Sequence, residues 1–190
     1  MRVVDEITRT HARNALIRWR CERDTRLGEQ ADAALRERLS ALVGAAPFDV
    51  AGVVGVYWPV RGEPQLGPCY ERWESEGRTL ALPRIGEGGA LEFGRWRRSG
   101  EVRIERFAIP VPHPFETIEP ELLIVPCVGF DSRGYRLGYG GGHYDRTFAR
   151  RPIPAIGVGY DACELERFDA EAYDRPLPAI VTESRVIRVP

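Results

Sequence analysis

The segment Leu122 to Arg146, LLIVPCVGFDSRGYRLGYGGGHYDR, constrains this chain more than any other. Leu122 to Val128 is a nearly unbroken apolar run, the pattern of a strand buried on both faces of a parallel sheet. It passes through Gly129-Phe130-Asp131 into a glycine-dense loop, Gly134 to Gly142, and the pattern then predicts a helix over Tyr144 to Arg150. A buried strand, a glycine loop and a helix in that order form the local unit of an open α/β sheet. In such sheets ligands gather at strand carboxyl ends, where helix N-termini present free N–H groups.

The rest of the chain agrees with that class. Val50 to Tyr57, Thr79 to Leu82 (closed by Pro83), Leu91 to Trp96 and Ala155 to Val158 read as strands. Ile180-Val181 and Val186 to Val189 end the chain with further β-character. A helix is expected around Cys69 to Glu76, and Pro110 to Pro120 forces an extended path. Before residue 45 the texture differs: Ala31, Ala34, Leu35, Leu39 and Leu42 mark an amphipathic helix over Leu27 to Val43, and Thr8 to Arg23 is expected to be another. The expected architecture is α/β: a mostly parallel sheet flanked by helices, three-layered and Rossmann-like, with an N-terminal two-helix unit. A length of 190 residues suits one domain, with residues 1–45 as the helices and 50–190 as the sheet core.

Composition narrows the function classes. Twenty-seven bases against 28 acids give a formal charge of −1, so no overall field draws the chain to nucleic acid or anionic lipid. No apolar run approaches a membrane span, and Met1 to Asp5 has no leader-like apolar region. Every base is arginine, which excludes chemistry that needs a lysine amine. Cys21, Cys69, Cys127 and Cys163 form no metal-ligand spacing and read as reduced thiols of a cytoplasmic protein.

Around the glycine loop the residue types suit phosphate. Gly138, Gly140, Gly141 and Gly142 let backbone approach an anion, Arg136 and Arg146 can neutralise it, and Asp145 can hold magnesium directly or through water. Two familiar motifs are absent. The P-loop pattern needs a lysine, and the dinucleotide pattern started at Gly138 meets His143 where glycine is required. A plain flexible turn remains the alternative for the glycines.

Taken whole, GFDSRGYRLGYGGGHYDR resembles the signature of the 5-formyltetrahydrofolate cyclo-ligase family. YWPVRGEPQL (57–66), RTLALPRI (78–85), FAIPVP (107–112) and PLPAIVTE (176–183) resemble further segments of that family, in family order. The resemblance implies an ATP- and magnesium-dependent cyclisation of 5-formyltetrahydrofolate to 5,10-methenyltetrahydrofolate through a phosphorylated formyl group. It further implies small-molecule partners and a monomer in the cytoplasm.

Position by position, the resemblance assigns ATP to Arg136, Leu137, Gly138, Tyr139, Gly140, Gly141, Gly142, His143 and Tyr144, and magnesium to Asp145. Trp58, Glu63, Phe107 and Tyr144 fall on the folate side, Glu63 as acceptor for pterin N–H groups and the aromatics as stacking surface. Each has a plainer alternative: core packing for Trp58 and Phe107, a solvated turn acid for Glu63, a helix-dipole partner for Asp145. His143 stands where the family has an aromatic residue and either stacks or titrates. His11 and His113 read as surface or capping residues.

The N-terminal helix departs from the family pattern K-x-x-L-R-x-x-x-R. In Arg13-Asn14-Ala15-Leu16-Ile17-Arg18, Arg13 replaces the lysine and Ile17 the first arginine, with Arg18 alongside. Either Arg13 and Arg18 still reach ATP, or nucleotide binding is weakened. A non-catalytic paralogue that binds nucleotide or folate is therefore the alternative function. A different sugar-phosphate or acyl-CoA enzyme on a similar scaffold is a third reading.

Overall fold

The computed structural model describes residues 6–50, 52–106 and 109–189. Met1 to Asp5 and Phe107 lie outside the described residues.

The chain begins with two helices, α1 (Glu6–Glu22) and α2 (Thr25–Val43). Between them Asp24 caps α2, its carboxylate accepting the Leu27 N–H at 3.0 Å. Gly28, Asp32, Leu35, Leu39 and Leu42 recur every three or four residues and are buried along one stripe of α2.

The sheet follows: β1 (Val53–Gly55), α3 (Gly67–Ser75), β2 (Thr79–Ile85), β3 (Leu91–Trp96), then a side hairpin of β4 (Val102–Ile104) and β5 (Pro110–Pro112). After it come β6 (Leu122–Pro126), the short pair β7 (Gly129–Phe130) and β8 (Arg136–Leu137), α4 (His143–Arg150), β9 (Ala155–Val158), β10 (Ala179–Val181) and β11 (Val186–Arg188). Seven strands form the main sheet in the order β11-β10-β9-β6-β1-β2-β3. The four inner pairings, β10-β9, β9-β6, β6-β1 and β1-β2, are parallel. The two outer ones, β2-β3 and β10-β11, are antiparallel.

Side chains of β6 alternate between two cores. Leu122 and Ile124 pack with α2 and α3, while Leu123 and Val125 face the side that holds Tyr144 and Phe148 of α4 and Leu16 of α1. Burying each such aliphatic contributes about 2 kcal/mol. The expected three layers and predominantly parallel sheet are present.

The differences lie at element boundaries. β2 continues through Pro83 to Ile85, past its expected end. Ala81 directs its carbonyl to Val56 of the β1 segment, so Pro83, two residues on, faces the same side. β1 pairs with β2 only as far as Ala81, so the missing N–H of Pro83 leaves no ladder bond unmade. The expected strand at Val50 to Tyr57 is regular only over Val53–Gly55. The β4-β5 and β7-β8 pairs, which the sequence did not predict, are too short to show alternation.

Candidate active site

β1 hands the chain through α3 to β2 on one side, whereas β6 hands it through α4 to β9 on the other. The strand order therefore reverses between the parallel neighbours β1 and β6, and such a switch point is where open α/β sheets place a ligand crevice, at the strand carboxyl ends. The turn after β1 and the glycine loop after β6 border this crevice, and α1 lies against both through Arg20.

The loop is delivered by the β7-β8 hairpin. Asp131 closes it, its buried carboxylate accepting the N–H groups of Arg133 at 3.0 Å and Tyr135 at 3.3 Å. Leu137 is a core residue: its side chain is buried and its carbonyl accepts the Val128 N–H at 2.9 Å. Gly138 to Gly142 then run into α4. Gly142 sits at φ 61°, in the left-handed region, and caps the helix without a side-chain bond. The first-turn N–H groups of α4 thus have no capping side chain.

Arg13 of α1 reaches this loop, donating from Nε to the Gly138 carbonyl at 2.7 Å. Partial burial and the like charge of Arg9 lower its pKa. Both make an anion at this point favourable. Arg18 does not join it. Five residues rotate a side chain about 140° around a helix, and Arg18 is exposed on another face.

Arg20 lies seven residues after Arg13, only about 20° away in projection, and it is buried. It donates from Nη1 to the Cys127 carbonyl at 3.2 Å and from Nη2 to the Tyr139 hydroxyl at 2.8 Å. Sequence reasoning passed over it, although Arg13, Leu16 and Arg20 share the spacing of one helix face.

Opposite the glycine loop is a tight turn. Arg61 at φ 49° and Gly62 at φ 73° make a type I′ turn, closed by the Glu63 N–H to the Val60 carbonyl at 3.0 Å. A Cβ on Gly62 would stand 2.5 Å from the Arg20 carbonyl oxygen, so only glycine lets the turn rest on α1. Glu63 is not a solvated surface acid but 2% exposed. Its Oε2 accepts the Val60 N–H at 2.9 Å and its Oε1 the Tyr139 hydroxyl at 2.8 Å. Burial raises its pKa, against these two bonds and the charges of Arg20 and Arg61.

Of the aromatics, Trp58 is 37% exposed and meets Trp96 edge-on with centroids 6.0 Å apart. Tyr144 is half-buried against Phe148. Burial and the Glu63 charge raise its pKa, which keeps the hydroxyl protonated. Tyr139 is held protonated by the same two causes.

Four candidate residues are engaged within the protein. Arg136 and Asp145 pair with one another, and Arg136 donates a second bond to the Arg175 carbonyl at 3.1 Å. His143 places Nδ1 2.6 Å from the Gly89 carbonyl, an acceptor, so the Nδ1 proton is directed to that oxygen. Arg146 donates to the Gly141 carbonyl. Among the described residues no three His, Cys, Asp or Glu side chains gather as a metal cage. The four cysteines are free, and burial pushes the Cys127 thiol up to about 12, so it is unreactive.

Residues 7–183 match the model of the 5-formyltetrahydrofolate cyclo-ligase family. The chain belongs to that family. Two relatives named 5-formyltetrahydrofolate cyclo-ligase, from Escherichia coli K12 and Mycolicibacterium smegmatis, are each 30% identical to it. The first alignment covers 83% of this chain and 92% of the relative, the second 95% and 96%. The Aquifex aeolicus 5,10-methenyltetrahydrofolate synthetase structure superposes with a TM-score of 0.78 at 30% identity, over 95% of this chain and 92% of that one. A synthetase from Mycoplasma pneumoniae shares the fold, with a TM-score of 0.75 at 20% identity over 92% and 98%. In this cyclo-ligase family member the match takes in α1, despite Ile17, together with both walls of the crevice. Among the described residues no helix is long and apolar enough to cross a membrane.

Proposed function

We propose that this cyclo-ligase family member converts 5-formyltetrahydrofolate and ATP into 5,10-methenyltetrahydrofolate, ADP and phosphate. The formyl oxygen attacks the γ-phosphorus, and the bond to the β–γ bridging oxygen breaks with ADP leaving. N10 adds to the activated formyl carbon, the carbon–oxygen bond breaks to release phosphate, and N10 loses its proton to water. No protein nucleophile is required, because positioning and charge stabilisation carry the work.

The observation that carries the reading is the Arg13 guanidinium seated on the glycine loop, beside a crevice whose other wall holds buried Glu63. Arg13 and the N–H groups of the first α4 turn would hold the triphosphate, and Trp58 and Tyr144 would flank the folate. Glu63 would accept from the pterin N–H groups, fixing the formyl group toward the nucleotide.

Magnesium fits as an ion that arrives on the nucleotide, since it is held by one or two carboxylates, phosphate oxygens and water rather than by a protein cage. Asp145, whose Oδ1 is paired with Arg136, keeps a second carboxylate oxygen that would hold it, and the ion would supply charge neutralisation on the phosphates. Arg13 on the loop removes one ground for the non-catalytic alternative, the departure of α1 from the family pattern, because one cation of that pattern still reaches the glycine loop. The reading takes the chain as one domain working as a cytoplasmic monomer.

The test mixes the protein, 5-formyltetrahydrofolate and magnesium-ATP and follows the near-ultraviolet absorbance of the methenyl product. A rise that requires ATP and magnesium is expected. Folded protein that binds both ligands without any rise would establish the non-catalytic paralogue instead.

A further inference from the structure

The two walls of the crevice are joined by one side chain. Tyr139 belongs to the glycine loop, yet its hydroxyl lies 2.8 Å from Glu63 Oε1 on the opposite wall and 2.8 Å from Arg20 Nη2 below. An arginine can only donate, so the hydroxyl accepts from Arg20 and must direct its own proton to Glu63. Its phenol pKa is raised, which keeps that proton in place. Arg20 and Arg61 both stand over the Tyr139 ring, with guanidinium carbons 5.8 and 5.6 Å from its centroid.

Glu63 is thereby closed. One oxygen is bonded to Val60 within its own turn and the other to Tyr139, and the side chain has almost no contact with solvent. The Val60 bond is local and can persist when a ligand arrives. The Tyr139 bond crosses the crevice and takes one of the two lone pairs of the Glu63 oxygen that a pterin N–H group would need, while burial keeps the other from an incoming group. Tyr139 is also the movable partner: it is 40% exposed and flanked by Gly138 and Gly140, whereas Arg20 and Glu63 are buried.

We propose that Tyr139, seated on Arg20, gates Glu63 and couples the two substrate sites. A nucleotide drawn into the glycine loop carries Tyr139 away from Glu63 and frees the carboxylate for the folate. A folate that takes Glu63 likewise releases the loop to close on nucleotide. Reciprocity of linked equilibria requires the two effects to be equal in size. The inference rests on the cyclo-ligase reading for the identity of the folate, and on the three-residue bridge alone for the gate.

The experiment is titration calorimetry of the whole chain and of Tyr139→Phe with two probes, a non-hydrolysable magnesium-ATP analogue and 5-formyltetrahydrofolate. Each is titrated alone and then with the other present. In the parent chain each probe should tighten the other by about tenfold, the lower end of what one hydrogen bond to a charged group is worth. Tyr139→Phe keeps the ring and removes the bond. It should bind each probe alone about tenfold more tightly and show almost no coupling.

Unchanged coupling in Tyr139→Phe overturns the gate, as does weaker binding of the nucleotide analogue alone. If neither protein binds the folate, the cyclo-ligase reading falls, but the analogue titrated alone still judges the gate. Circular dichroism on both proteins separates these outcomes from misfolding. Arg20→Gln, which leaves Tyr139 and Glu63 in contact without the guanidinium, provides the second variant. It should weaken the coupling without abolishing it.

Discussion

Glu63 shows most clearly what burial does to a single residue here. Its carboxyl sits almost out of solvent in a turn whose sequence, Arg-Gly-Glu-Pro, reads as surface. Desolvation raises its pKa, and the two hydrogen bonds and two arginines restore only part of the lost charge stability. The sign for binding follows. Above the raised pKa the carboxylate has all its acceptor sites. As pH falls through that value one oxygen gains a proton and no longer accepts from an N–H group. Folate affinity should therefore begin to fall at a pH above the ordinary glutamate range. Glu63→Gln should bind weakly at neutral pH and show a flat profile over the same interval. Dissociation constants for 5-formyltetrahydrofolate measured across pH decide this, and identical profiles for both proteins would assign the titration to another group.

At the scale of elements, α1 decides what the nucleotide meets. Arg13 and Arg18 are five residues apart and point to different faces, and only Arg13 touches the glycine loop. Arg13→Gln should weaken nucleotide binding by about tenfold to a hundredfold, since hydrogen bonds involving a charged group are each worth about 1.5–3 kcal/mol. Arg18→Gln should leave it within about twofold, as expected for a solvated surface charge. Calorimetric titration with magnesium-ATP compares them, and an equal loss in both would place the nucleotide elsewhere on the helix. This helix also marks the limit of what the sequence discloses. The strand–glycine–helix unit was legible because each of its signals is local: an apolar run, residues without a Cβ, and a helical start. The important side chains of α1 are arginines, so periodicity of apolar residues could not single out their face, and Arg20 was missed. The burial of Glu63 and the path of Tyr139 across the crevice depend on segments 76 residues apart. No window along the chain contains them both. Pro83 misled for a similar reason, because whether a proline ends a strand depends on which neighbour its missing N–H would have faced.

Across the whole molecule, the same logic ties the N-terminal helices to the sheet. Asp32 of α2 is buried, with Oδ1 accepting from Tyr160 and pairing with Arg23 at 3.4 Å, and Oδ2 accepting the Gln65 N–H at 3.2 Å. One carboxylate thus binds the segment after α1, the segment after β9 and the turn that carries Glu63. Arg23 also lies over the Tyr160 ring, its guanidinium carbon 3.9 Å from the centroid. Asp32→Ala would leave the Tyr160 hydroxyl and the Gln65 N–H without their acceptor, and the Arg23 guanidinium with the Tyr160 oxygen alone, in a nearly closed space. Removing one partner of a buried pair costs about 3–5 kcal/mol. For a chain of this size that lowers Tm by roughly 6–20 °C, at about 2–4 °C per kcal/mol. Thermal unfolding followed by far-ultraviolet circular dichroism and by tryptophan fluorescence would measure it, with Trp19 on α1 and Trp58, Trp73 and Trp96 around the sheet as reporters. Coincident transitions are expected in the parent chain, because the Asp32 cluster makes α1 and α2 part of one cooperative unit. In Asp32→Ala the helical signal should be lost first, and folate affinity should fall with it as the Gln65 anchor and the Glu63 turn loosen. A variant that melts in one step at the parent temperature would mean that the apolar stripe of α2 holds the helices by itself. The crevice would then owe its shape to the sheet alone.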